Sequence, residues 1–278
     1  MSETETAAHK ERALEEWLNQ QGSVLVGYSG GVDSAYLACV AREVLGSDNM
    51  LAVVGRSAAY PQQQWDHALA VAARFDLPLV DVPTDELDNP LYAANPNNRC
   101  FHCKTVLWRT LMPLAVNRGL AVVVDGTNAD DIADYRPGHR AATEHGVRSP
   151  LVEIGLTKSE IRTLSRQRGI PGWANPSSPC LASRLPYGFA VTIERLAQVE
   201  RAEAALRALG ISGDMRVRHH GDLARVELGH DELARWLAPA ARRALRRAVV
   251  SSGFQRVALD LRGFRSGSLN VLSGVTTT

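Results

Sequence analysis

The sequence predicts an α/β protein in which a doubly wound parallel sheet is followed by a smaller α+β domain. From residue 23 to about residue 169, short apolar segments alternate with segments of helical periodicity in the order βαβαβαβα, which is typical of a parallel sheet with helical crossovers. A stretch rich in Pro, Ser and Gly, residues 173–188, then interrupts the alternation. Because 278 residues are enough for two medium domains, we expect one domain at 1–172 and a second at 173–278.

The elements of the first domain follow from hydrophobic periodicity and from the residues that break it. Helices are predicted where apolar residues recur every three or four positions, and strands where short apolar runs end at Gly or polar residues. The predicted helices are 7–21, 32–46, 62–75, 105–117 and 157–168, the last with Thr157 and Glu160 in capping-box spacing. The predicted strands are 24–26, 50–55, 79–82 and 121–124, with a short edge strand at 149–152. The Asn- and Pro-rich stretch 89–99 is predicted to be irregular.

The second domain has a different pattern and a different charge. Its predicted elements are a helix at 192–209, a hairpin of strands 215–219 and 223–228, one basic helix at 232–249 and a strand at 254–261. Residues 1–150 carry 12 Lys and Arg against 19 Asp and Glu, whereas residues 151–278 carry 19 against 11. This asymmetry indicates that the second half meets an anion or an acidic surface of a partner subunit; the alternative is a basic, solvated face.

Composition gives no sign of a membrane or secreted protein. No apolar run approaches the roughly 20 residues of a membrane span, and residues 1–10 are polar and lack a signal-peptide core. Four cysteines in a chain of this length are not a disulfide scaffold. We therefore expect a cytoplasmic protein without a membrane partner.

An anion site is predicted where the first strand ends, in Ser29-Gly-Gly-Val-Asp-Ser34. A strand, a small-residue loop and a helix N-terminus together present inward-pointing amides and partial positive charge. Gly30 and Gly31 let a phosphate approach the backbone, and the two serines add hydroxyl donors. No Lys follows the glycines, so this is not the G-x-x-x-x-G-K-[ST] loop, and it also lacks G-x-G-x-x-G. The alternative is a plain tight turn.

This loop, S-G-G-x-D-S after a strand, resembles the pyrophosphate loop of the ATP pyrophosphatase (PP-loop) superfamily. Members cleave ATP between the α and β phosphates and adenylate an acceptor oxygen, which a nitrogen or sulfur nucleophile then displaces. Loops of glycine and polar residues also follow the second and fourth predicted strands, at the edge of an open sheet where ligands bind. They are Gly55, Arg56 and Ser57 after one strand, and Gly126, Thr127, Asn128 and Asp131 after the other.

The cysteines are the second chemical feature. Cys39 falls on the apolar side of a predicted helix and is interpreted as a core residue, whereas Cys100 and Cys103 form a C-x-x-C pair and Cys180 is a distant third thiol. The pair could be a redox dithiol, although it follows an Asn-rich loop, or half of a zinc site, although no second ligand pair follows. It could also join Cys180 in holding a [4Fe–4S] cluster, whose open iron would bind hydrosulfide.

The segment Asn175-Pro-Ser-Ser-Pro-Cys-Leu-Ala-Ser-Arg-Leu-Pro-Tyr-Gly188 resembles the signature of the LarE family, PP-loop enzymes that insert sulfur in nickel-pincer nucleotide biosynthesis. Further segments look like the same family, so that the resemblance covers nearly the whole chain. They are Ser29–Ser34, Asp125–Asn128 with Asp131, Tyr135–Gly138, Gly155–Arg162, Met215–His219 and Leu259–Ser268. The P-C-L-A-S-R segment is the specific part, because the first motif is shared with other PP-loop enzymes.

The resemblance implies a substrate, pyridinium-3,5-biscarboxylic acid mononucleotide. ATP, with Mg²⁺ on its phosphates, would adenylate a ring carboxylate and release pyrophosphate; sulfur would then displace AMP, and two turnovers would give the bis-thiocarboxylic product. The sulfur would come either from Cys180, which becomes dehydroalanine, or from a sulfide on a [4Fe–4S] cluster held by Cys100, Cys103 and Cys180. Because the sacrificial branch is understood to lack the C-x-x-C pair, the cluster branch is favoured, with sulfide or a sulfur-donor system as partner.

The resemblance also implies roles for individual residues. The ATP phosphates are assigned to Ser29, Gly30, Gly31, Asp33 and Ser34, with Asp33 reaching Mg²⁺, and adenosine to Gly55, Arg56 and Ser57. The next loop of the crevice is also assigned to ATP binding, through Gly126, Thr127, Asn128 and Asp131. The catalytic set is Cys180, Asp33, Ser183 and Arg184, and the phosphate and carboxylates of the substrate are assigned to Ser183, Arg184, Arg216 and Arg218. Each role has an alternative: Arg56 pairs with surface acids, Asp131 caps a helix, Arg216 and Arg218 are solvated, and Arg184 is structural.

Three other functions share some of these features. A tRNA thiolation enzyme would need a broad basic surface, which a net charge of +1 does not suggest, so nucleic acid is not an expected partner despite the basic helix. An amidating synthetase of the NAD or GMP type would have no use for Cys180. A non-catalytic nucleotide-binding protein would release no pyrophosphate. The family resemblance further points to a homo-oligomer, with the second domain as its assembly surface.

Overall fold

The computed structural model describes residues 3–133, 137–176 and 178–265. The chain divides into two compact units, residues 1–89 with 98–178, and residues 90–97 with 179–278. The change at 178–179 lies shortly after the predicted domain boundary at 172–173, and the segment 90–97 belongs to the second unit although residues of the first unit flank it. Ser177 and parts of the segments Tyr135–Gly138 and Leu259–Ser268 lie outside the described residues.

The helices and strands are numbered here in chain order. The helices are α1 Glu3–Gln21, α2 Val32–Leu45, α3 Gln62–Phe75, α4 Pro90–Ala93, α5 Arg99–Asn117, α6 Pro137–Glu144, α7 Pro150–Glu153, α8 Lys158–Gln167, α9 Ile193–Ala208, α10 His230–Leu237 and α11 Pro239–Val250. The strands are β1 Val24–Gly27, β2 Met50–Arg56, β3 Leu79–Pro83, β4 Val122–Asp125, β5 Met215–His220, β6 Leu223–Leu228 and β7 Arg256–Leu259. Short 3-10 turns cover Glu86–Asp88, Ala129–Ala133 and Leu181–Arg184.

The first unit contains a parallel sheet in the order β3-β2-β1-β4. Val24 of β1 pairs with Met50 of β2 on one side and with Val122 of β4 on the other, so β1 is an interior strand. One apolar core includes residues of α1, α2, α3 and α8, and a second includes residues of α5 and α6. These helices cover opposite faces of the sheet, which confirms the predicted doubly wound architecture.

The topology fixes where a ligand can bind in the first unit. The chain leaves β1 toward β2 on one side, but β4 lies on the other side, so the strand order reverses between β1 and β4. In open α/β sheets the crevice beyond the carboxyl ends of the strands at such a reversal is the usual ligand site. The loops after β1, β2 and β4 all start at this edge.

The second unit has its own small sheet. β5 and β6 form an antiparallel hairpin, as predicted, and β7 adds to β6 in the parallel direction. Helices α9 and α11 bury Leu196, Leu206 and Leu245, which are at most 2% exposed. No helix among the described residues of the chain is both long and apolar enough to cross a membrane.

Three predicted elements differ in the structure. The predicted edge strand at 149–152 is helix α7, and only Arg148 forms a parallel bridge, to Val124 of β4. Pro150 has no N–H for a strand ladder, but it fits the first position of a helix. The predicted helix 232–249 is broken into α10 and α11 at Ala238, where Pro239 begins the second helix. Within the stretch predicted to be irregular, α4 forms and α5 already begins at Arg99.

Candidate functional site

The loop between β1 and α2 is closed by its own serines. The Ser34 hydroxyl donates to the Gly31 carbonyl (3.0 Å) and accepts from the Ser29 amide (3.1 Å), and the two hydroxyl oxygens lie 3.1 Å apart. Gly30 has a φ of 72°, in the left-handed region, and a Cβ there would lie 2.9 Å from Ala68 Cβ. The loop is therefore a preformed turn at a helix N-terminus, with Ser29 exposed and Ser34 buried.

The loop after β4 packs directly against the start of α2. A Cβ on Gly126 would lie 2.7 Å from the Ser34 amide nitrogen, so only glycine allows this approach. The buried Asp125 carboxylate accepts from the hydroxyls of Ser149 (2.7 Å) and Thr127 (2.8 Å). These bonds hold the end of β4 beside the predicted phosphate loop.

Asn128 and Asp131 close the next turn. The Asn128 side-chain oxygen accepts from the amides of Asp130 (3.0 Å) and Asp131 (3.3 Å), and the Asp131 carboxylate accepts from the Asn128 amide (3.2 Å). Asp131 therefore binds back onto its own turn. Both residues lie at the predicted edge of the sheet.

The residues at the end of β2 and just after it contact other protein groups. A Cβ on Gly55 would lie 2.5 Å from the Leu107 side chain, so this glycine is required by packing. Arg56 lies 3.5 Å from the Asp81 carboxylate and stacks 4.5 Å from the centre of the Trp65 ring, in agreement with the alternative that it pairs with an acid. The Ser57 hydroxyl donates to the buried Glu86 carboxylate (2.5 Å).

Lys158 and Asp33 form an ion pair that the sequence analysis missed. Lys158 is the first residue of α8, and its Nζ binds one carboxylate oxygen of Asp33, in the first turn of α2. The other oxygen, Oδ1, is buried and has no hydrogen-bond partner among the described residues. Burial raises the pKa of Asp33 above its ordinary value, although Lys158 opposes the shift. The only signal in the sequence was the segment Gly155–Arg162, which was noted without a role for its lysine.

Two further polar side chains hold the phosphate loop. The Tyr60 hydroxyl (3.0 Å) and the Gln64 side-chain amide (2.5 Å) both donate to the Ser29 carbonyl. They come from the loop before α3 and from its first turn. No motif in the sequence marks them, because their role depends on how α3 packs beside β1.

Cys100 and Cys103 lie at the start of α5, three residues apart and therefore on neighbouring positions of one helix face. Cys100 is exposed and Cys103 is partly exposed. Cys180, also partly exposed, belongs to the second unit. Within residues 3–133, 137–176 and 178–265, no three His, Cys, Asp or Glu side chains form a group that could hold a metal ion. The ligation of a cluster by these three cysteines stays a prediction.

In the second unit, Arg184 organises the segment that carries Cys180. Its Nη1 donates to the carbonyls of Pro179 (2.5 Å) and Cys180 (3.1 Å), while Nε and Nη2 form a two-point ion pair with Glu203 of α9 (3.0 Å each). Glu203 also accepts from the Val217 amide of β5 (3.0 Å). Arg184 is 2% exposed and binds protein groups at each of these contacts, as its structural alternative predicts.

Arg216 and Arg218 are buried rather than solvated, each 6% exposed. Arg218 pairs with the buried Glu227 (2.9 Å) and donates to the Ser183 carbonyl (2.9 Å). The Arg216 guanidinium lies 5.0 Å from the centre of the Phe264 ring. Burial, followed by the nearby charge of Arg184, lowers the pKa of Arg216 to about 10, so this arginine stays protonated at neutral pH. Cys180, Ser183 and the three arginines therefore belong to one polar region of the second unit.

The chain is similar in sequence to several known proteins. A family model described as NAD synthase matches residues 7–105, which contain the phosphate loop. The chain is 42% identical to an uncharacterized protein of Synechocystis, over 92% of this chain and 95% of the relative. It is 27% identical to an uncharacterized protein of Methanocaldococcus jannaschii, over 87% and 91%.

A named relative identifies the family. The pyridinium-3,5-bisthiocarboxylic acid mononucleotide synthase of Lactiplantibacillus plantarum is 36% identical to this chain, over 95% of each protein. The match includes both units and agrees with the resemblance stated from the motifs. The chain therefore belongs to the LarE family of ATP-dependent, PP-loop sulfurtransferases.

Proposed function

We propose that this protein inserts sulfur into pyridinium-3,5-biscarboxylic acid mononucleotide in an ATP-dependent reaction that passes through a carboxylate adenylate. The observation that carries the proposal is the 36% identity over 95% of both chains to a synthase named for the bis-thiocarboxylic product. The preformed loop at the switch point of the sheet supports the use of ATP, because it offers amides and hydroxyls to phosphate oxygens.

The proposed reaction has two steps. A ring carboxylate oxygen of the substrate bonds to the α phosphorus of ATP, and the bond from that phosphorus to the bridging oxygen breaks, so pyrophosphate leaves with the electron pair. A sulfur nucleophile at the oxidation level of hydrosulfide then attacks the acyl carbon, and AMP leaves from it. Ser29, Gly30, Gly31 and Ser34 would hold the phosphates. Mg²⁺ would bind Asp33, whose buried Oδ1 offers a free lone pair to a hard cation.

The second unit would bind the anionic substrate. Arg216 and Arg218 carry positive charge into a buried region, and Arg forks match phosphate and carboxylate oxygens. Arg184 would act by positioning, since its contacts hold the carbonyls of Pro179 and Cys180 and the carboxylate of Glu203. Ser183 would offer its hydroxyl next to these groups.

For the sulfur source, we propose a [4Fe–4S] cluster on Cys100, Cys103 and Cys180. The two thiols of the C-x-x-C pair lie on one face at the start of α5, where an exposed and a partly exposed thiol can ligate one metal group. A cluster held by three cysteines has one iron open to hydrosulfide. The second candidate is Cys180 as a sacrificial donor, which its partial exposure would allow.

The activity is tested with anaerobically purified protein, ATP, Mg²⁺, the biscarboxylic mononucleotide and sulfide. We expect pyrophosphate release that depends on the mononucleotide, and a thiocarboxylate product detected by mass spectrometry. Ser34→Ala should reduce pyrophosphate release, whereas Cys180→Ala should abolish the thiocarboxylate. Pyrophosphate release that ignores the mononucleotide, or a normal thiocarboxylate yield from Cys180→Ala, would contradict the proposal.

The two sulfur sources are separated by iron and acid-labile sulfide content. If the cluster is the source, the wild-type protein should contain iron, and Cys100→Ala and Cys103→Ala should lose it. Cys39→Ala is the matched control, because Cys39 is buried in the core of the first unit and should not affect iron content. A protein without iron that shows dehydroalanine at position 180 after turnover would instead establish the sacrificial route.

A further inference from the structure

The carbonyl of Ser29 is held by two side chains at once, one from the start of α3 and one from the loop before it. The Tyr60 hydroxyl (3.0 Å) and the Gln64 side-chain amide (2.5 Å) both donate to this one oxygen. We propose that Tyr60 and Gln64 are positioning residues for ATP, which fix the Ser29–Gly30 peptide so that the Gly30 amide faces a phosphate oxygen. The inference rests on the use of ATP in the proposed function and adds two residues from outside the loop motif.

The Gly30 amide belongs to the same peptide group as the Ser29 carbonyl. Because this peptide is trans and planar, its N–H points away from its carbonyl oxygen, and therefore away from Tyr60 and Gln64. Gly30 is buried, and its N–H has no hydrogen-bond acceptor among the described residues. A buried backbone amide normally has a partner. At the N-terminal end of α2, a phosphate oxygen would supply the missing acceptor.

The peptide needs this support because glycine follows it. Gly30 has a φ of 72°, and glycine adopts positive and negative φ about equally readily. The Ser29–Gly30 peptide could therefore rotate and turn its carbonyl oxygen toward the phosphates, which would repel it. The serine bonds within the loop do not prevent this rotation, since Ser34 holds only the Ser29 amide and the Gly31 carbonyl. The two donors from the α3 side oppose it, because both would lose their acceptor.

The packing of α3 keeps both donors within reach of the loop. A Cβ on Gly30 would lie 2.9 Å from Ala68 Cβ and 3.2 Å from the Gln64 carbonyl, so the helix lies directly against the loop. The Tyr28 hydroxyl, just after β1, donates to the Ala68 carbonyl of α3 (3.2 Å). The two donors are thus in place before any ligand binds, which reduces the ordering that phosphate binding would otherwise require.

Calorimetry with inorganic pyrophosphate and with adenosine, each in the presence of Mg²⁺, separates positioning from a structural role. Tyr60→Phe and Gln64→Met each remove one donor and keep most of the side-chain volume. Each should weaken pyrophosphate binding about threefold, and the double variant about tenfold, because one hydrogen bond has a net effect of that order. Adenosine carries no phosphate, so its affinity should stay at the wild-type value. A general loosening of the unit would weaken the binding of both ligands.

Gln63→Met is the matched control, because Gln63 is the exposed neighbour of Gln64 in the same turn of α3. It should bind pyrophosphate as the wild type does. Wild-type pyrophosphate affinity in the double variant, or an equal loss of adenosine affinity, would overturn the positioning role and leave the use of ATP intact. A wild-type protein that binds no pyrophosphate would overturn the phosphate site of the proposed function, and this inference with it, so the two failures are distinguishable.

Discussion

At the scale of single residues, Arg184 combines the positioning role that we propose for it with a structural one. Its guanidinium binds two carbonyls around Cys180 and the Glu203 carboxylate, all within a buried region. Removal of one partner from a buried ion pair leaves the other charge without compensation, which typically costs about 3 kcal/mol or more. The role proposed for Arg184 and the stability of the segment are therefore linked.

We expect Arg184→Met to lower the free energy of unfolding by about 3 kcal/mol, because Glu203 loses its two-point partner. The double variant Arg184→Met with Glu203→Gln should recover part of that loss. Urea unfolding of the two single variants and the double variant measures the coupling. Additive losses would show that the pair does not act as a unit.

Asp33 gives a pH-dependent prediction. Burial raises its pKa, so the folded state binds its proton more tightly than the unfolded state, whose carboxyl has a pKa of about 3.9. The favourable contribution of this group to stability is thus fully present at acid pH and is lost as pH rises through the raised pKa. Asp33→Asn removes the buried charge, and Lys158, 30% exposed, can be hydrated instead.

We therefore expect Asp33→Asn to raise the melting temperature at pH 8 and to weaken ATP-dependent turnover. The advantage in melting temperature should shrink as pH is lowered, because the wild-type carboxyl then takes up its proton. Differential scanning fluorimetry across pH 5 to 8 checks the trend. A variant that is less stable than wild type at pH 8 would show that the bond to Lys158 outweighs burial.

Some residues of the candidate site could be predicted from the sequence, and others could not. The loop residues Ser29–Ser34 and their place at the end of a strand followed from composition and periodicity, because both are local in the chain. Lys158, Tyr60 and Gln64 could not be assigned, since their contacts with the loop depend on how helices pack beside β1. The burial of Arg216 and Arg218 could not be predicted either, because alternation along a strand does not show which face of the sheet is covered.

At the scale of elements, the approach of the β4 loop to α2 depends on Gly126. A methyl group there would lie 2.7 Å from the Ser34 amide nitrogen, a backbone atom that cannot turn aside. The loop would have to move away from the N-terminus of α2, and the amides proposed to bind the phosphates would shift with it. Because no positive φ is involved at this position, the effect of a substitution would be steric.

We expect Gly126→Ala to weaken binding of an ATP analogue that has a methylene group between the α and β phosphates. The loss should be about tenfold or more, since a displacement of about 1 Å can misplace several phosphate contacts. Gly213→Ala is the matched control in the second unit, where the added Cβ would meet only Glu232 Cγ at 3.6 Å. Calorimetry compares the two variants. Equal affinities would show that the loop can absorb the methyl group without moving the site.

Two predicted elements were wrong because each was drawn through a proline that begins a helix. Pro150 and Pro239 each begin a helix, because their fixed φ suits the first helical turn and their missing N–H is not needed there. The run around Pro150 is apolar enough for a strand, and the run around Pro239 is periodic enough for one continuous helix. Periodicity was right in the remaining long elements, since each packs one apolar stripe against a core.

At the scale of the whole molecule, the chain does not divide at one point. Residues 90–97 belong to the second unit, although residues of the first unit precede and follow them. This stretch has the composition of a loop, and nothing local indicates its long-range pairing. Asn95 explains the association: its side-chain amide donates to the carbonyls of Pro186 (2.8 Å) and Phe189 (2.9 Å), and its own carbonyl accepts from the Gly188 amide (2.8 Å).

Asn95 is fully buried and has a φ of 56°, a left-handed conformation that Asn adopts more readily than most residues. Asn95→Gly would keep this conformation but lose the side-chain bonds, whereas Asn95→Ala would lose both. We expect each to destabilise the second unit, by about 2 kcal/mol for the glycine variant and by more for alanine, because buried carbonyls are left without donors.

Hydrogen exchange resolved by peptide tests where the loss occurs. Protection should fall in 181–228 of the Asn95 variants and stay unchanged in strands β1, β2 and β4, because only the second unit depends on these bonds. Asn117→Ala, at an exposed position at the end of α5, is the control and should change neither unit. An equal loss of protection in both units would show that they unfold as one body, and residues 90–97 would then stabilise the whole chain instead of the second unit alone.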